Sequence, residues 1–461
     1  MIEPTELADF SEMLARGQAD ASRPGPNPPD AISLARARRR RIRRRITGLV
    51  VLLVIVAAVG TYLPITLLAP LGTATLTATT PSFTTPGAAV LTLPSVGEAA
   101  ASVTGAETFA GTVGTNGILA SGGGSGPQPI ASISKLITAL VVLEAKPLTG
   151  TEPGPILTFS TADHDLYDQY YVLNASVQPM KTGSTMSEHD ALSLMLVVSA
   201  CNYADAVSTW AFGSRARYLS AVRTWLAAHG LTGTTIVEPT GISTRNVSTP
   251  ADLIAIGKLA MANPAVAAIV GSPSVVVPGV GPVSNNNISL GSEGINGIKT
   301  GTLDTVGSCL LFSARVEVGL PQPITIIGVI LGGDSREAVN RAAQLMVHSI
   351  ESGFHVVQLV GVGTVVGRYS TPWEDGARVV TGSGASVLTW SDAPITSTMT
   401  IKPLTITAGK TSTDGSTVGS IDFVVNGAPI AVPLVLDGSI SGPDGRWRLT
   451  HPQVLLGGSR P

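Results

Sequence analysis

Apolar positions along the chain follow two different periods, and the change between them predicts how helices and strands are arranged. Residues 187–198, 203–210 and 335–350 carry apolar side chains at helical spacing. Residues 307–318 and 324–331 are instead apolar runs rich in β-branched residues, which is typical of strands. The order of strands, a helical block, further strands and a closing helix predicts an α/β (α+β) fold, in which helices cover a sheet shared by the first and last parts of the domain.

Local signals place three further elements. Thr249-Pro250-Ala251-Asp252 predicts a helix start with Thr249 as the cap, and the helix is expected to end before Pro264. Asn116-Gly117, within the β-type stretch 109–120, predicts a hairpin turn. Residues 356–461 contain strand-like runs and no convincing helix, so we expect a separate all-β C-terminal domain there.

The longest apolar run predicts a membrane anchor. Residues 46–68 carry no charge, and eight arginines stand directly before them, at 36, 38–41 and 43–45. This run is long enough to span a bilayer, and the basic cluster predicts that the N-terminus is cytoplasmic. Because the polar, Pro-rich residues 1–30 are too long for an ordinary signal peptide, we expect disorder there and an uncleaved anchor.

These patterns divide the 461-residue chain into five predicted segments. Residues 1–45 form a disordered cytoplasmic segment with the arginine cluster, and residues 46–69 form the transmembrane helix. Residues 70–100 are rich in Thr, Pro and Ala, and this composition predicts a linker. Residues 101–355 form the main domain and 356–461 the β-rich domain, both outside the cytoplasm.

Composition and charge exclude some classes of function. The formal net charge of −2 combines +4 before Ile46, from ten Arg against six Asp and Glu, with −6 after it. Because the basic cluster adjoins a membrane span, we predict no nucleic-acid partner. Six scattered histidines without ligand spacing predict no metal, and no motif indicates a cofactor. The two cysteines, Cys201 and Cys309, are expected to be free thiols.

The pair Ser132 and Lys135 is the first candidate for catalytic chemistry. Positions i and i+3 of a helix share a face, so the hydroxyl and the amine can meet. A lysine that loses its proton can serve as the base that activates a serine hydroxyl. Ser-x-x-Lys alone is common by chance, and the alternative is a capped, solvated helix.

Two later segments complete a possible cleft. Lys299-Thr300-Gly301-Thr302 begins the second strand block and offers a cation and hydroxyls to a carboxylate. Ser199-Ala200-Cys201-Asn202 follows a predicted buried helix and can form the opposite wall. A nucleophile, backbone donors and an anchor for an anionic end are what acyl transfer requires.

In this order and setting, Ser-x-x-Lys, a Ser-x-Asn-like turn and Lys-Thr-Gly resemble the penicillin-recognising serine enzymes. Flanking motifs narrow the resemblance to one group, the low-molecular-mass penicillin-binding proteins, which are serine-type D-alanyl-D-alanine carboxypeptidases. These motifs are residues 131–139, 238–242, 246–249 with 252–253, and 297–301. The resemblance covers residues 107–350 and, more weakly, 417–423 with 433–435. It implies a serine β-lactamase/transpeptidase-like fold, with an antiparallel sheet and a helical subdomain.

The resemblance also implies a role for each segment. Ser132 would be the acylated nucleophile, Lys135 its proton acceptor, and Ser199 the relay to the leaving D-alanine. Lys299, with Thr300 or Thr302, would hold the substrate carboxylate, and the N–H groups of Ser132 and Thr302 would form the oxyanion hole. Peptidoglycan stem peptides and β-lactam antibiotics are the partners it implies. Gly301, Cys201 and Asn202 complete the predicted substrate-binding set.

Two departures leave alternatives open. Cys201 stands where the family has the Asn of Ser-x-Asn, and a thiol cannot reproduce the paired donor and acceptor of an amide. In one interpretation, Asn202 or a water compensates for the missing amide. In the others, the chain is a weakened enzyme, an enzyme with an altered substrate, or an inactive envelope scaffold that binds muropeptides or a division partner. A β-lactamase or a D,D-endopeptidase is the other alternative. The sequence has no clear Glu-x-x-Leu-Asn element, and this absence counts against a β-lactamase. A second Lys-Thr-Gly, at 181–183, precedes a predicted helix and is interpreted as unrelated to the site.

Overall fold

The structure is a computed structural model that describes residues 31–106, 117–407 and 409–457. The predicted disordered segment 1–30 and most of the hairpin predicted at 109–120, including Asn116, lie outside these residues. Helices in the described part of the chain are Ala31–Leu67 (α1), Ser134–Ala145 (α2), Thr161–Tyr171 (α3), Glu188–Leu196 (α4), Cys201–Phe212 (α5), Arg215–Ala228 (α6), Pro250–Ala262 (α7), Pro264–Val270 (α8), Arg336–Glu351 (α9), Gly445–Thr450 (α10) and Pro452–Leu455 (α11).

Strands alternate with these helices along the chain, and a short 3-10 helix, Ala131–Ile133, leads into α2. The strands are Thr75–Ala78 (β1), Glu98–Thr104 (β2), Ala120–Gly122 (β3), Gln128–Pro129 (β4), Ile156–Thr158 (β5), Thr185–Ser187 (β6), Val247–Ser248 (β7), Ser274–Val277 (β8), Gly281–Ser284 (β9), Ile295–Leu303 (β10), Gly307–Val316 (β11), Ile324–Gly333 (β12), Phe354–Val360 (β13), Val365–Ser370 (β14), Gly376–Thr381 (β15), Ala385–Trp390 (β16), Ile395–Ile401 (β17), Thr411–Ser412 (β18), Thr417–Val425 (β19), Ala428–Asp437 (β20) and Ile440–Ser441 (β21).

A five-stranded antiparallel sheet organises the main domain, in the order β10-β11-β12-β2-β3. Successive residues of its strands face opposite sides, as strand geometry requires. Leu311 and Val329 pack into the core of the helical block, whereas Leu310 and Phe312 pack into the core that contains α9. The predicted mixed fold, an antiparallel sheet with a helical subdomain, is confirmed.

Side-chain caps fix where several helices begin. Thr249 accepts a hydrogen bond from the Asp252 N–H at 3.1 Å, and Pro250 occupies the first position of α7, as predicted. Ser335 caps α9 in the same way, accepting from the Ala338 N–H at 3.1 Å. These caps satisfy backbone donors that have no partner within the helix.

The C-terminal region contains a six-stranded antiparallel sheet, in the order β1-β14-β15-β20-β19-β17. Tyr369 and Phe423 are fully buried in its core. Strand β1 comes from the segment predicted as a linker and pairs with β14. The prediction that no helix follows residue 356 was wrong for α10 and α11; the Asp444 carboxylate caps α10 by accepting from the Trp447 N–H at 2.7 Å.

Helix α1 contains a stretch that is long and apolar enough to cross a membrane. Residues Arg38–Leu67 have a mean hydropathy of 2.5 over the best window, and none of that window is buried within the protein. About 20 apolar residues suffice to span a bilayer. The predicted span is therefore present as a helix in the structure.

Gly328 provides a test of packing in the main sheet. It lies opposite Phe312 in the β11–β12 register, and a Cβ at position 328 would lie 2.1 Å from the Phe312 ring. Because Phe312 is fully buried, its ring or the strand must shift to admit the methyl group, and we expect Gly328→Ala to lower the free energy of unfolding by about 1–3 kcal/mol. Denaturant unfolding of the purified protein measures this. Gly126→Ala, where no atom lies within 4 Å, is the matched control; equal stability of the two variants would contradict the packing argument.

Candidate active site

Ser132 lies at a strained turn that enters α2. Ala131, which precedes it, has φ of +47°, a left-handed conformation that costs a non-glycine residue energy. Gly241 packs against this turn so closely that a Cβ there would lie 1.9 Å from the Ala131 carbonyl oxygen. The Ser134 hydroxyl donates to the same oxygen at 2.8 Å. The turn is thereby held in place, and the Ser132 side chain remains partly exposed.

Lys135 is fully buried and contacts Ser132 directly. Its Nζ lies 2.9 Å from Ser132 Oγ, so the spacing of three positions does bring the amine to the hydroxyl. The same Nζ donates to the Thr240 carbonyl at 2.7 Å and to Cys201 Sγ at 3.2 Å. Lys135 therefore has three hydrogen-bond partners, and one of them is the candidate nucleophile, Ser132.

Thr240, which the sequence predictions did not include among the site residues, positions Lys135. The Glu238 carboxylate accepts hydrogen bonds from the N–H groups of Thr240 and Gly241, each at 2.7 Å, and from the Thr240 hydroxyl at 2.6 Å. Asn246 donates from its amide to the Glu238 carbonyl at 2.9 Å and to Ser134 at 3.0 Å. The motif 238–242 was the signal in the sequence. It contributes to the site through the backbone carbonyl of Thr240, which accepts a hydrogen bond from Lys135, and not through a reactive side chain.

Ser199 and Cys201 form the opposite wall, at the turn between α4 and α5. Ser199 adopts φ of +64° and is 5% exposed. The Cys201 N–H donates to the Ser176 carbonyl at 2.7 Å, which fixes the start of α5. Cys201 therefore reaches the site and contacts Lys135.

Asn202 is not brought to the cleft. Its amide is fully buried and pairs with the backbone of Gln178, donating to the carbonyl at 2.7 Å and accepting from the N–H at 3.1 Å. Both polar atoms of the Asn202 side chain are thus engaged in holding the segment before β6. An amide so engaged does not take over the position that Cys201 occupies.

Lys299 extends from β10 to the same cleft. Its Nζ donates to Ser199 Oγ and to the Thr300 carbonyl, each at 3.0 Å. Burial lowers the pKa of Lys299 well below its ordinary value, because a charged ammonium is costly away from water. The buried ammonium is suited to an anion, whose charge would favour the protonated form.

Strand β10 forms the edge of the five-stranded sheet beside Ser132. A Cβ on Gly301 would lie 3.0 Å from the Ser132 nitrogen, so glycine permits the close approach of the two segments. Thr300 is buried, whereas Thr302 is exposed, with its hydroxyl 3.4 Å from that of Ser308. An edge strand keeps backbone N–H and C=O groups available for a ligand.

The second Lys-Thr-Gly lies outside this cleft. Residues 181–183 are exposed and form a turn before β6, with the Ser184 N–H donating to the Lys181 carbonyl at 3.1 Å.

Cys201 and Cys309 are both buried and free. Burial raises the pKa of Cys309 to about 11.

Comparisons with known proteins identify relatives of this chain. Two curated relatives are named D-alanyl-D-alanine endopeptidase. The relative from Pseudomonas aeruginosa is 34% identical over 125 residues, which cover 27% of this chain and 37% of that protein. The relative from Escherichia coli is 27% identical over 201 residues, which cover 41% and 60%. The chain thus spans less than two thirds of the length of either relative.

Penicillin binding protein 5 from Haemophilus influenzae is similar in structure, with a TM-score of 0.49 and 15% identity over 79% of this chain and 100% of that one. The family described as D-alanyl-D-alanine carboxypeptidase matches residues 98–335. That match covers just over half of the sequence and includes Ser132, Lys135, Ser199 and Lys299. The chain therefore belongs to the D-alanyl-D-alanine carboxypeptidase family.

Proposed function

We propose that this chain is a membrane-anchored, serine-type D-Ala-D-Ala carboxypeptidase that removes the terminal D-alanine from peptidoglycan stem peptides. The segments are those expected from the sequence: a cytoplasmic stretch 1–45, a span 46–69, a linker 70–100, a catalytic domain 101–355 and a β-rich domain 356–461. With the arginine cluster inside, the catalytic domain faces the cell wall. Family membership supports the substrate class.

The contact of Lys135 Nζ with Ser132 Oγ at 2.9 Å is the observation that carries the proposal. In the acylation step the neutral amine takes the hydroxyl proton while Oγ attacks the carbonyl carbon between the two D-alanines. The C–N bond then breaks, and a proton passes through the Ser199 hydroxyl to the leaving amine. Water hydrolyses the resulting ester with the same groups in reverse. A β-lactam carbonyl attacked in the same way forms a stable acyl-enzyme.

Two further contacts fit the developing charge and the substrate's anionic end. The N–H groups of Ser132 and Thr302, on segments brought close by Gly301, are the proposed oxyanion donors. Lys299, with the hydroxyls of Thr300 and Thr302, holds the terminal carboxylate. Cys201 replaces the usual amide beside the scissile bond and contacts Lys135 through its sulfur; Asn202 supports this wall from behind.

A D,D-endopeptidase is the second candidate, because both curated relatives carry that name. The two activities use the same acyl-enzyme and differ in whether the leaving group is free D-alanine or a cross-linked peptide. Incubation with a pentapeptide and, separately, with a cross-linked muropeptide dimer distinguishes them. Cleavage of the dimer without release of D-alanine would replace the carboxypeptidase proposal by the endopeptidase one.

Labelling by a fluorescent penicillin tests the nucleophile. We expect the full chain to be labelled, and Ser132→Ala to abolish labelling because no other hydroxyl contacts the amine of Lys135 in the described residues. Lys181→Ala, in the exposed Lys-Thr-Gly, is the control and keeps full labelling. If folded wild-type protein takes no label and releases no D-alanine, the chain is a non-catalytic scaffold of the cell envelope.

Substituting Lys299 tests carboxylate recognition. Losing one partner of a buried, hydrogen-bonded charge pair costs roughly 2–5 kcal/mol, so Lys299→Ala should lower kcat/KM on the order of 100-fold or more.

Because the pKa of Lys299 is lowered, its ammonium is lost as pH rises through a range where an ordinary lysine stays charged. KM for the wild type should therefore rise on the alkaline side, and Lys299→Arg, which stays protonated, should shift that rise to higher pH. If KM rises at the same pH in the wild type and in Lys299→Arg, Lys299 is not the group that binds the substrate carboxylate.

Substituting Cys201 tests whether the thiol limits catalysis. An amide offers the substrate backbone both a donor and an acceptor, so Cys201→Asn should raise the rate of D-alanine release several-fold. Cys309→Ala, which removes the other buried thiol, is the matched control and should leave the rate unchanged. An unchanged or lower rate for Cys201→Asn would show that the thiol does not weaken this enzyme.

A further inference from the structure

Helix α10, in the C-terminal region, is attached to the end of the candidate membrane-spanning helix α1. Arg448 on α10 is 3% exposed. Its Nε donates to the Thr66 carbonyl at 3.1 Å, and its Nη2 donates to the Ala69 carbonyl. Tyr62, one turn earlier on α1, donates from its hydroxyl to the Leu449 carbonyl at 2.5 Å. Three side-chain hydrogen bonds therefore join α10 to the last turns of α1 and to the residues directly after it.

Electrostatics favours this attachment. The last carbonyls of a helix have no partner within it, and the C-terminal end of a helix carries a partial negative charge. The Arg448 guanidinium supplies both hydrogen-bond donors and a positive charge at that end. The contact therefore fixes the position of α10 relative to the point where the apolar stretch of α1 stops, at Leu67.

Aromatic and apolar side chains surround this point. Trp373 and Trp447 lie edge to face with ring centroids 5.8 Å apart, and both are partly exposed. Leu68 is 80% exposed and Leu456 is 62% exposed. We call these four residues, Leu68, Trp373, Trp447 and Leu456, the docking face. A cavity of about 300 Å³ lies beside it, lined in part by Pro70, Leu71, Trp373, Trp447 and Leu455.

We infer that the docking face rests in the lipid headgroup region at the C-terminal end of α1, so that the β-rich domain lies on the membrane surface. Continuity with the spanning helix carries the inference: α1 brings its own end to the bilayer boundary, and Arg448 holds the docking face there. Tryptophan is enriched at this depth, because its ring is apolar and its N–H is polar. The exposed leucines then contact lipid instead of water. The inference rests on the proposed insertion of α1 and does not depend on catalysis.

Depth-dependent fluorescence quenching tests the placement. The full chain is reconstituted into phosphatidylcholine vesicles that carry bromine either near the headgroup end of the acyl chains or near their methyl end. We expect stronger quenching by the shallow bromines. Because Trp373 and Trp447 are two of five tryptophans, Trp373→Phe/Trp447→Phe should remove most of that shallow quenching, whereas the control Trp210→Phe/Trp390→Phe should keep it.

Variants of Arg448 test the attachment itself. Arg448→Leu should reduce the shallow quenching by about half or more, since the docking face is no longer held at the depth where tryptophan is favoured. Arg446→Leu, an exposed position on the same helix, should leave it unchanged. If Arg448→Leu does not fold, Arg448→Lys, which keeps a charge but loses the planar fork of donors, should give an intermediate value.

Vesicle flotation separates the two ways in which the inference can fail. A chain that floats with the vesicles but shows no shallow quenching overturns the docking face while leaving the anchor intact. A chain that does not float overturns the insertion of α1 and the docking face with it. Neither outcome bears on the penicillin-labelling test of the catalytic site.

Discussion

Two lysines buried in one cleft are the constraint on which the rest of the site depends. Lys135 and Lys299 are 0% and 1% exposed, and in the described residues their hydrogen-bond partners are hydroxyls, a thiol and carbonyls, without a carboxylate. Buried charge that lacks a counter-ion costs several kcal/mol. Loss of a proton or binding of an anion relieves that cost. In the proposed roles Lys135 accepts the proton of Ser132, and Lys299 gains the counter-charge of a bound carboxylate.

The surrounding scaffold supplies the rigidity that such a cleft needs. The left-handed turns at Ala131 and Ser199 are unfavourable conformations that persist only when neighbouring groups hold them. Gly241, the carboxylate of Glu238 and the amide of Asn246 do so for the first turn and for Lys135. The side chains of Glu238 and Asn246 therefore position the backbone around Ser132 and Lys135 through hydrogen bonds.

The sequence allowed the prediction of what depends on local chemistry. The spacing of Ser132 and Lys135 predicted their contact, although the helix proper begins only at Ser134, and the caps predicted where α7 starts. Long-range pairing could not be predicted in this way. Nothing in a Thr- and Pro-rich segment indicates that β1 joins a sheet hundreds of residues later. Likewise, Asn202 resembles a site residue until the backbone of Gln178 is seen to occupy its amide.

The pairing of β1 with β14 places the main domain between two adjacent strands of the C-terminal sheet. Residues 77 and 368 hydrogen-bond across 291 positions, so β1 lacks its partner strand until β14, at Val365–Ser370, has been made. Closing so long a loop is slow, and an unpaired strand is exposed to wrong partners while it waits. Once the two strands pair, the segment that follows α1 is fixed to the C-terminal sheet and is no longer a free tether.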